Sequence, residues 1–288
     1  MRGVVLVLRG RYDGGSGGEL TTRPGSVCVQ GKFLESIKYM EVALVLRKDK
    51  YGKEHEELFK AVEVFALSCN ALAVELLFAD DFEPAYRLLK KCEVLTMPDG
   101  YVRHELLRMK LAAITFNNIA CFFHRRGKMH AAIQYLTAAL KLEVMLPDAD
   151  APACTHLNLC AALSKLGRHE KALEHVQAAI EILHGDLGSA DAQYAHMRTV
   201  SAKANSRNMA PVAYHNLGVE YEHLGQLEAA LRAYLRASEI AESSLGEEHP
   251  VSIKIRISYG EAESQLERLL EKERRRAEAN EARFRATQ

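Results

Sequence analysis

One spaced pattern recurs four times in this chain, and it constrains the fold more than any other feature. Cys69, Leu72, Ala73, Leu76, Asp80, Ala85, Leu89 and Cys92 set the offsets. They return as Phe116, Ile119, Ala120, Phe123, Gly127, Ala132, Leu136 and Ala139. A third copy runs His156, Leu159, Cys160, Leu163, Gly167, Ala172, Val176, Ala179, and a fourth Tyr214, Leu217, Gly218, Tyr221, Gly225, Ala230, Tyr234, Ala237. Within each copy the apolar and small residues fall three or four apart, the period of one helix face, on both sides of a turn residue. Each copy therefore predicts two helices joined by a tight turn. Such a pair cannot bury its apolar face alone, so neighbouring pairs must stack.

This register resembles the tetratricopeptide repeat. The resemblance implies an all-α fold, a right-handed superhelical solenoid that presents an extended surface to a partner. Helix pairs are expected at 56–79 with 82–96, 103–126 with 129–146, 151–166 with 169–184, and 210–224 with 227–244. Pro98, Pro147 and Pro250 fall just after the second helices, and Pro84 falls in a first turn, where it is tolerated. The pitch is uneven: 47 residues separate Cys69 from Phe116, 40 separate Phe116 from His156, and 58 separate His156 from Tyr214. The largest excess, at 185–210, is expected to be a short extra helix or a mobile loop.

The ends differ from the array, which is expected to span 31–260. Residues 1–30 carry Gly14-Gly15-Ser16-Gly17-Gly18 and Arg23-Pro24-Gly25, breakers that predict an irregular or disordered segment. Phe33, Ile37, Met40, Ala43, Leu44 and Leu46 to Arg47 then read as a second helix whose first helix is missing or degraded, with Gly31 as its turn residue. Residues 261–288 predict a charged C-terminal helix that caps the solenoid through Ile253, Ile257 and Leu266 and then projects into solvent. Self-association through it is the alternative.

The link Leu245-Gly246-Glu247-Glu248-His249-Pro250, echoed by Tyr51-Gly52-Lys53-Glu54-His55-Glu56, looks like the kinesin light chain kind of tetratricopeptide array. Physically, Gly ends one helix in a left-handed conformation and His-Pro opens the next. The long heptad region with which kinesin light chains engage their motor has no counterpart among these residues.

Charge narrows the partner class. Lys plus Arg and Asp plus Glu are 38 each, so no overall field favours nucleic acid or an anionic membrane. The six cysteines include no Cys-x-x-Cys pair and mostly occupy repeat slots, reading as packed free thiols. The apolar run Val4–Leu8 is too short for a signal-peptide core, and no later run is expected to cross a bilayer. The expected location is cytoplasmic, including a cytoskeletal or ciliary association.

Two residues after each opening apolar slot stand Asn118, Asn158 and Asn216. Two steps of about 100 degrees turn them away from the helix-pair face, and stacking would align them along the inner curve. The kinesin light chain resemblance implies that such a row holds the backbone of an extended guest. Alternatively, these amides bond to a neighbouring helix and fix the stacking. Seven residues further on, Arg125, Lys165 and His223 predict a positive edge suited to an acidic or phosphorylated segment, or else simply complement their helix dipoles. Asn117, Leu157, Val212 and His215 complete the expected groove, with Cys121 and Cys154 in neighbouring slots. The two-Lys, one-Arg clamp with which related arrays hold chaperone tails is absent.

No phosphate loop, Gly-x-Ser-x-Gly elbow or His-Glu-x-x-His motif occurs, so no catalytic residue, metal site or cofactor is assigned. His124 with His130, and His169 with His175, are six residues apart and point about 240 degrees away from each other on a helix. The expected function is a noncatalytic adaptor that binds an extended acidic peptide of another protein in its concave groove. A structural subunit of a cytoskeletal or ciliary assembly is the alternative.

Overall fold

The structure, a computed structural model, describes residues 24–100, 103–146, 152–188 and 200–286. Among them lie α1 (Pro24–Tyr51), α2 (Glu56–Phe78), α3 (Phe82–Leu95), α4 (Glu105–Arg125), α5 (Met129–Val144), α6 (Pro152–Lys165), α7 (His169–Gly188), α8 (Val200–His223), α9 (Leu227–Leu245) and α10 (Pro250–Ala286). The described residues contain no strand. The helices α2 with α3, α4 with α5, α6 with α7, and α8 with α9 pack as pairs, and each second helix also packs on the first helix of the next pair. This is the stacked all-α solenoid that the repeat demanded.

The turn slots show how the sequence sets the pairs. Asp80, Gly127, Gly167 and Gly225 all take left-handed φ values, 58, 73, 70 and 74 degrees. The next residue in each unit closes the first helix with the same six-to-one bond, Asp81 N to Leu76 O, Lys128 N to Phe123 O, Arg168 N to Leu163 O and Gln226 N to Tyr221 O, at 2.8–3.0 Å. The first unit therefore places a non-glycine residue where glycine is favoured, at a cost of about 1 kcal/mol.

Small slots admit close helix approach. Ala85, Ala132, Ala172 and Ala230 are each fully buried. Ala73, Ala120 and Cys160 share their clusters with Leu89, Leu136 and Val176 in the first three units. In the fourth, Gly218 lies under the fully buried Tyr234 ring. The largest facing side chain thus meets the smallest slot, which keeps the helix spacing close to that of its neighbours.

The link motif also resolves into capping. Gly246 takes φ 91 and ψ 158 degrees, a conformation essentially reserved to glycine. His249 Nδ1 accepts from Val251 N at 3.2 Å, and His55 Nδ1 accepts from Glu57 N at 3.1 Å. His104 does the same for Leu107 N at the start of α4. Each histidine satisfies an otherwise orphaned amide of a first helix.

Several expectations need correction. Residues 24–30, placed in the irregular segment, begin α1, and Gly31 lies inside that helix rather than at a turn. The Pro24-Gly25 breaker therefore opens a helix, because proline is tolerated in a first turn; residues 1–23 lie outside the described residues. The 185–210 excess lengthens α7 to Gly188 and starts α8 at Val200, so Pro211 sits inside a helix; 189–199 lie outside. The boundary at 260 falls within α10, a helix of 37 residues, about 55 Å long. Finally, α2 and α4 do have the length and apolarity to cross a bilayer. Here they are interior helices of the solenoid, with Leu58, Val62, Phe65, Leu111 and Ile119 buried against their neighbours.

Candidate functional site

The expected inner row does not face an open groove. Asn118, Asn158, Asn216, Asn117, Leu157, Val212 and His215 are each at most 1% exposed. Turning 200 degrees from the second helix does leave that interface, but first helices pack directly on first helices, α2 on α4, α4 on α6 and α6 on α8. The side facing the inner curve is consumed by that contact. The reading of these seven as groove residues is thereby corrected.

The polar residues among them enter a buried polar ladder, while Leu157 and Val212 join an apolar cluster. Asn118 Nδ2 donates to Asn70 Oδ1 at 2.9 Å, and Asn70 Nδ2 donates to Thr115 Oγ1 at 3.1 Å and to Ala66 O at 2.9 Å. One unit on, Asn158 Nδ2 donates to Asn117 Oδ1 at 2.6 Å, and Asn117 Nδ2 bonds Thr155 Oγ1. Thr155 Oγ1 in turn donates to Glu143 Oε1 at 3.0 Å. His215 Nε2 reaches Ser258 Oγ at 3.2 Å, tying α8 to α10. Polar groups buried in this way must find fixed partners, so they set the register of one helix on the next.

The three bases fare differently, because they stand at helix ends beyond the packed interior. Arg125, Lys165 and His223 are exposed. Arg125 Nη2 donates to Asp80 Oδ1 at 2.6 Å, joining two adjacent turns. Burial, then the charges of Lys165 and Arg125, hold the His124 imidazole down at about 4, which places both cations around one ring. His223 instead stacks on His169, centroids 4.2 Å apart. His169 Nδ1 bonds Glu220 Oε2 at 2.8 Å.

Beside these cations lies an aromatic cleft of about 340 Å³ at the α3–α4 edge. Phe82, Tyr86, Phe122 and Phe123 line it, with Arg126, Lys128 and Glu83 on its rim. Tyr86 stacks on Phe122 at 4.7 Å, and Phe122 meets Phe123 edge-on at 5.2 Å. Arg125 and Arg126 hold their guanidinium carbons 5.9 and 5.5 Å from the Phe82 ring centre. Among the described residues Arg126, Lys128 and Lys165 make no ion pair. The repeat pattern hid this cleft because Phe82, Tyr86 and Phe122 fall outside its slots; their aromatic clustering was the available signal.

Residues 111–185 and 209–271 match the tetratricopeptide repeat family. These two segments resemble tetratricopeptide repeats. The crystal structure of BtubC (BKLC) from P. vanneervenii is similar over 76% of this chain and 94% of that one, at 18% identity and a TM-score of 0.39. No curated protein matches the chain. The matched segments fall within α4 to α7 and within α8 to α10, so the aromatic cleft straddles the start of the first matched segment and the helix pair before it.

Among the described cysteines, Cys69, Cys92, Cys121, Cys154 and Cys160 are buried and form no disulfide. Bonding with Cys69, then burial, pushes the Cys92 thiol well up, and burial does the same for Cys121 and Cys160. Such thiols are poor nucleophiles. Histidine pairs arise between helices rather than along them: His156 Nδ1 lies 3.0 Å from His175 Nδ1. No group of three metal-ligating side chains forms among the described residues.

Burial holds the His156 imidazole down at about 4, and burial lowers His175 as well. Between about pH 4 and 6.5 the unfolded chain therefore binds more protons than the folded one. The stabilisation is complete above pH 6.5 and lost as pH falls. We expect the melting temperature to drop across this window, and the double substitution His124→Gln, His156→Gln to flatten that drop; an unchanged slope in calorimetry would contradict the assignment.

Proposed function

We propose that this protein is a noncatalytic scaffold that binds an acidic, aromatic-bearing segment of a partner protein along the edge formed by its turns. The observation that carries this reading is the aromatic cleft rimmed by the unpaired cations Arg126 and Lys128. An apolar ring of the guest enters between Phe82, Tyr86 and Phe122, where aromatic faces stack at low entropic cost. Carboxylates on either side meet Arg126, Lys128 and, further along the edge, Lys165, in charge-assisted bonds. The acidic guest expected from the sequence is thus kept, while its seat moves from the inner curve to the edge.

The test uses a fluorescent peptide of Asp and Glu around one Trp, beside a counterpart with Lys in place of the acids. Anisotropy should report binding of the acidic peptide alone, and Arg126→Glu with Lys165→Glu should weaken it at least about tenfold, one lost charge-assisted contact being worth about 1.5–3 kcal/mol. Equal binding of both peptides, or indifference to the charge reversals, would overturn the reading.

A constitutive structural subunit of a cytoskeletal or ciliary assembly is the second reading. It is favoured by the reach of α10, whose Leu269 and Leu270 remain exposed. Removing residues 271–288 should then disrupt assembly in cells and leave binding of the acidic peptide unchanged.

A further inference from the structure

We infer that the outer face of α1 is a self-association surface on which a second copy of this chain docks, helix against antiparallel helix. Among the described residues α1 packs on α2 alone, through the buried Ile37 and Leu44, with one further tie, an ion pair from Glu41 to Lys91 of α3. It occupies the place of a second helix whose first helix would cover its opposite side. That side is apolar: Tyr39 is 70% exposed, Val42 58% and Leu46 64%. With about 100 degrees per residue, Glu35, Tyr39, Val42, Leu46 and Lys50 fall within one arc of roughly 80 degrees, directly opposite Ile37 and Leu44. An apolar stripe of this kind at the end of a solenoid is what a terminal capping helix removes.

Charge selects the occupant and its direction. Glu35 stands at the start of the stripe and Lys50 at its end, both exposed. In an antiparallel pair with its two-fold between positions 42 and 43, Glu35 of one copy meets Lys50 of the other, and Tyr39 meets Leu46. Val42 packs against Ala43 across the axis. The ion pair and both apolar pairs each form twice, as an isologous contact requires. A parallel pair in register would set Glu35 against Glu35 and Lys50 against Lys50, which is repulsive. The surface is therefore complementary to itself in one orientation.

One helix pair is a small interface, so association is expected in the micromolar range. Sedimentation equilibrium of the full chain should show a monomer–dimer equilibrium, and Val42→Glu should make it monomeric. Glu35→Lys and Lys50→Glu should each weaken dimerisation about fivefold or more. Mixing those two variants should restore it, because the Glu35→Lys chain carries a cation at both ends of its stripe and the Lys50→Glu chain an anion at both. The mixture also separates this contact from folding defects, since either variant alone must remain folded to rescue its partner. A wild type that stays monomeric at several hundred micromolar, or a mixture no more dimeric than its components, would overturn the inference.

Discussion

Gly218→Ala is expected to destabilise the fold by about 2 kcal/mol, although the same change in an ordinary helix interior is favourable by up to ~1 kcal/mol. The added methyl would stand 2.6 Å from two carbons of the Tyr234 ring. That ring is fully buried, and its hydroxyl is tied to Glu222 Oε2 at 3.1 Å, so it cannot swing aside. Overpacking a rigid site of this kind typically costs ~1–3 kcal/mol. At this chain length each kilocalorie lowers the melting temperature by about 2–4 °C. Adding Tyr234→Leu recreates the pairing that Ala120 and Leu136 make earlier in the same array, so the double variant should be at least ~1 kcal/mol better than the sum of the singles. Strict additivity in denaturant titrations would show that slot and ring do not touch.

The second large effect is expected from Asn117→Ala, at about 2–4 kcal/mol. Its amide is the junction of the polar ladder, bonded to Thr155 on one atom and accepting from Asn158 on the other. Truncation leaves the Asn158 donor short of its oxygen partner and Thr155 short of its amide in a fully buried setting, and each unsatisfied group costs ~1–3 kcal/mol. Replacing Asn158 with Leu in the same chain removes one of those orphans and should recover part of the loss. Lys165→Ala, on the exposed edge, should stay within ~0.5 kcal/mol. The same set decides between a ladder and a groove. If Asn117→Ala keeps wild-type stability and instead abolishes peptide binding, the amides face a guest after all.

Periodicity carries information about some of these residues and not about others. The turn slots, the small alanines and the His-capped link were legible because each is a local requirement: a left-handed residue, a short side chain, an amide acceptor. All three recur at fixed offsets and need only neighbouring residues to act. The asparagine row was legible as a row, with the right spacing and the right side of the helix. Its environment was not, since an angle on one helix says nothing of how closely the next first helix approaches. The aromatic cleft was illegible for a related reason: it draws on the start of α3 and the end of α4, two places separated by about forty residues and outside the repeated slots.

Thus the spacing of apolar, small and turn residues by itself determined that this chain stacks helix pairs into an all-α solenoid, and where each pair turns. Only the tertiary structure decided that Asn117, Asn118 and Asn158 lie between helices, that Arg125 is committed to Asp80 while Arg126 rests over Phe82 without an ion pair, and that α1 keeps one apolar side uncovered. The physical reason is the range of the interactions. Helix periods and caps are satisfied within a few residues, whereas burial and pairing depend on what the next unit brings against them.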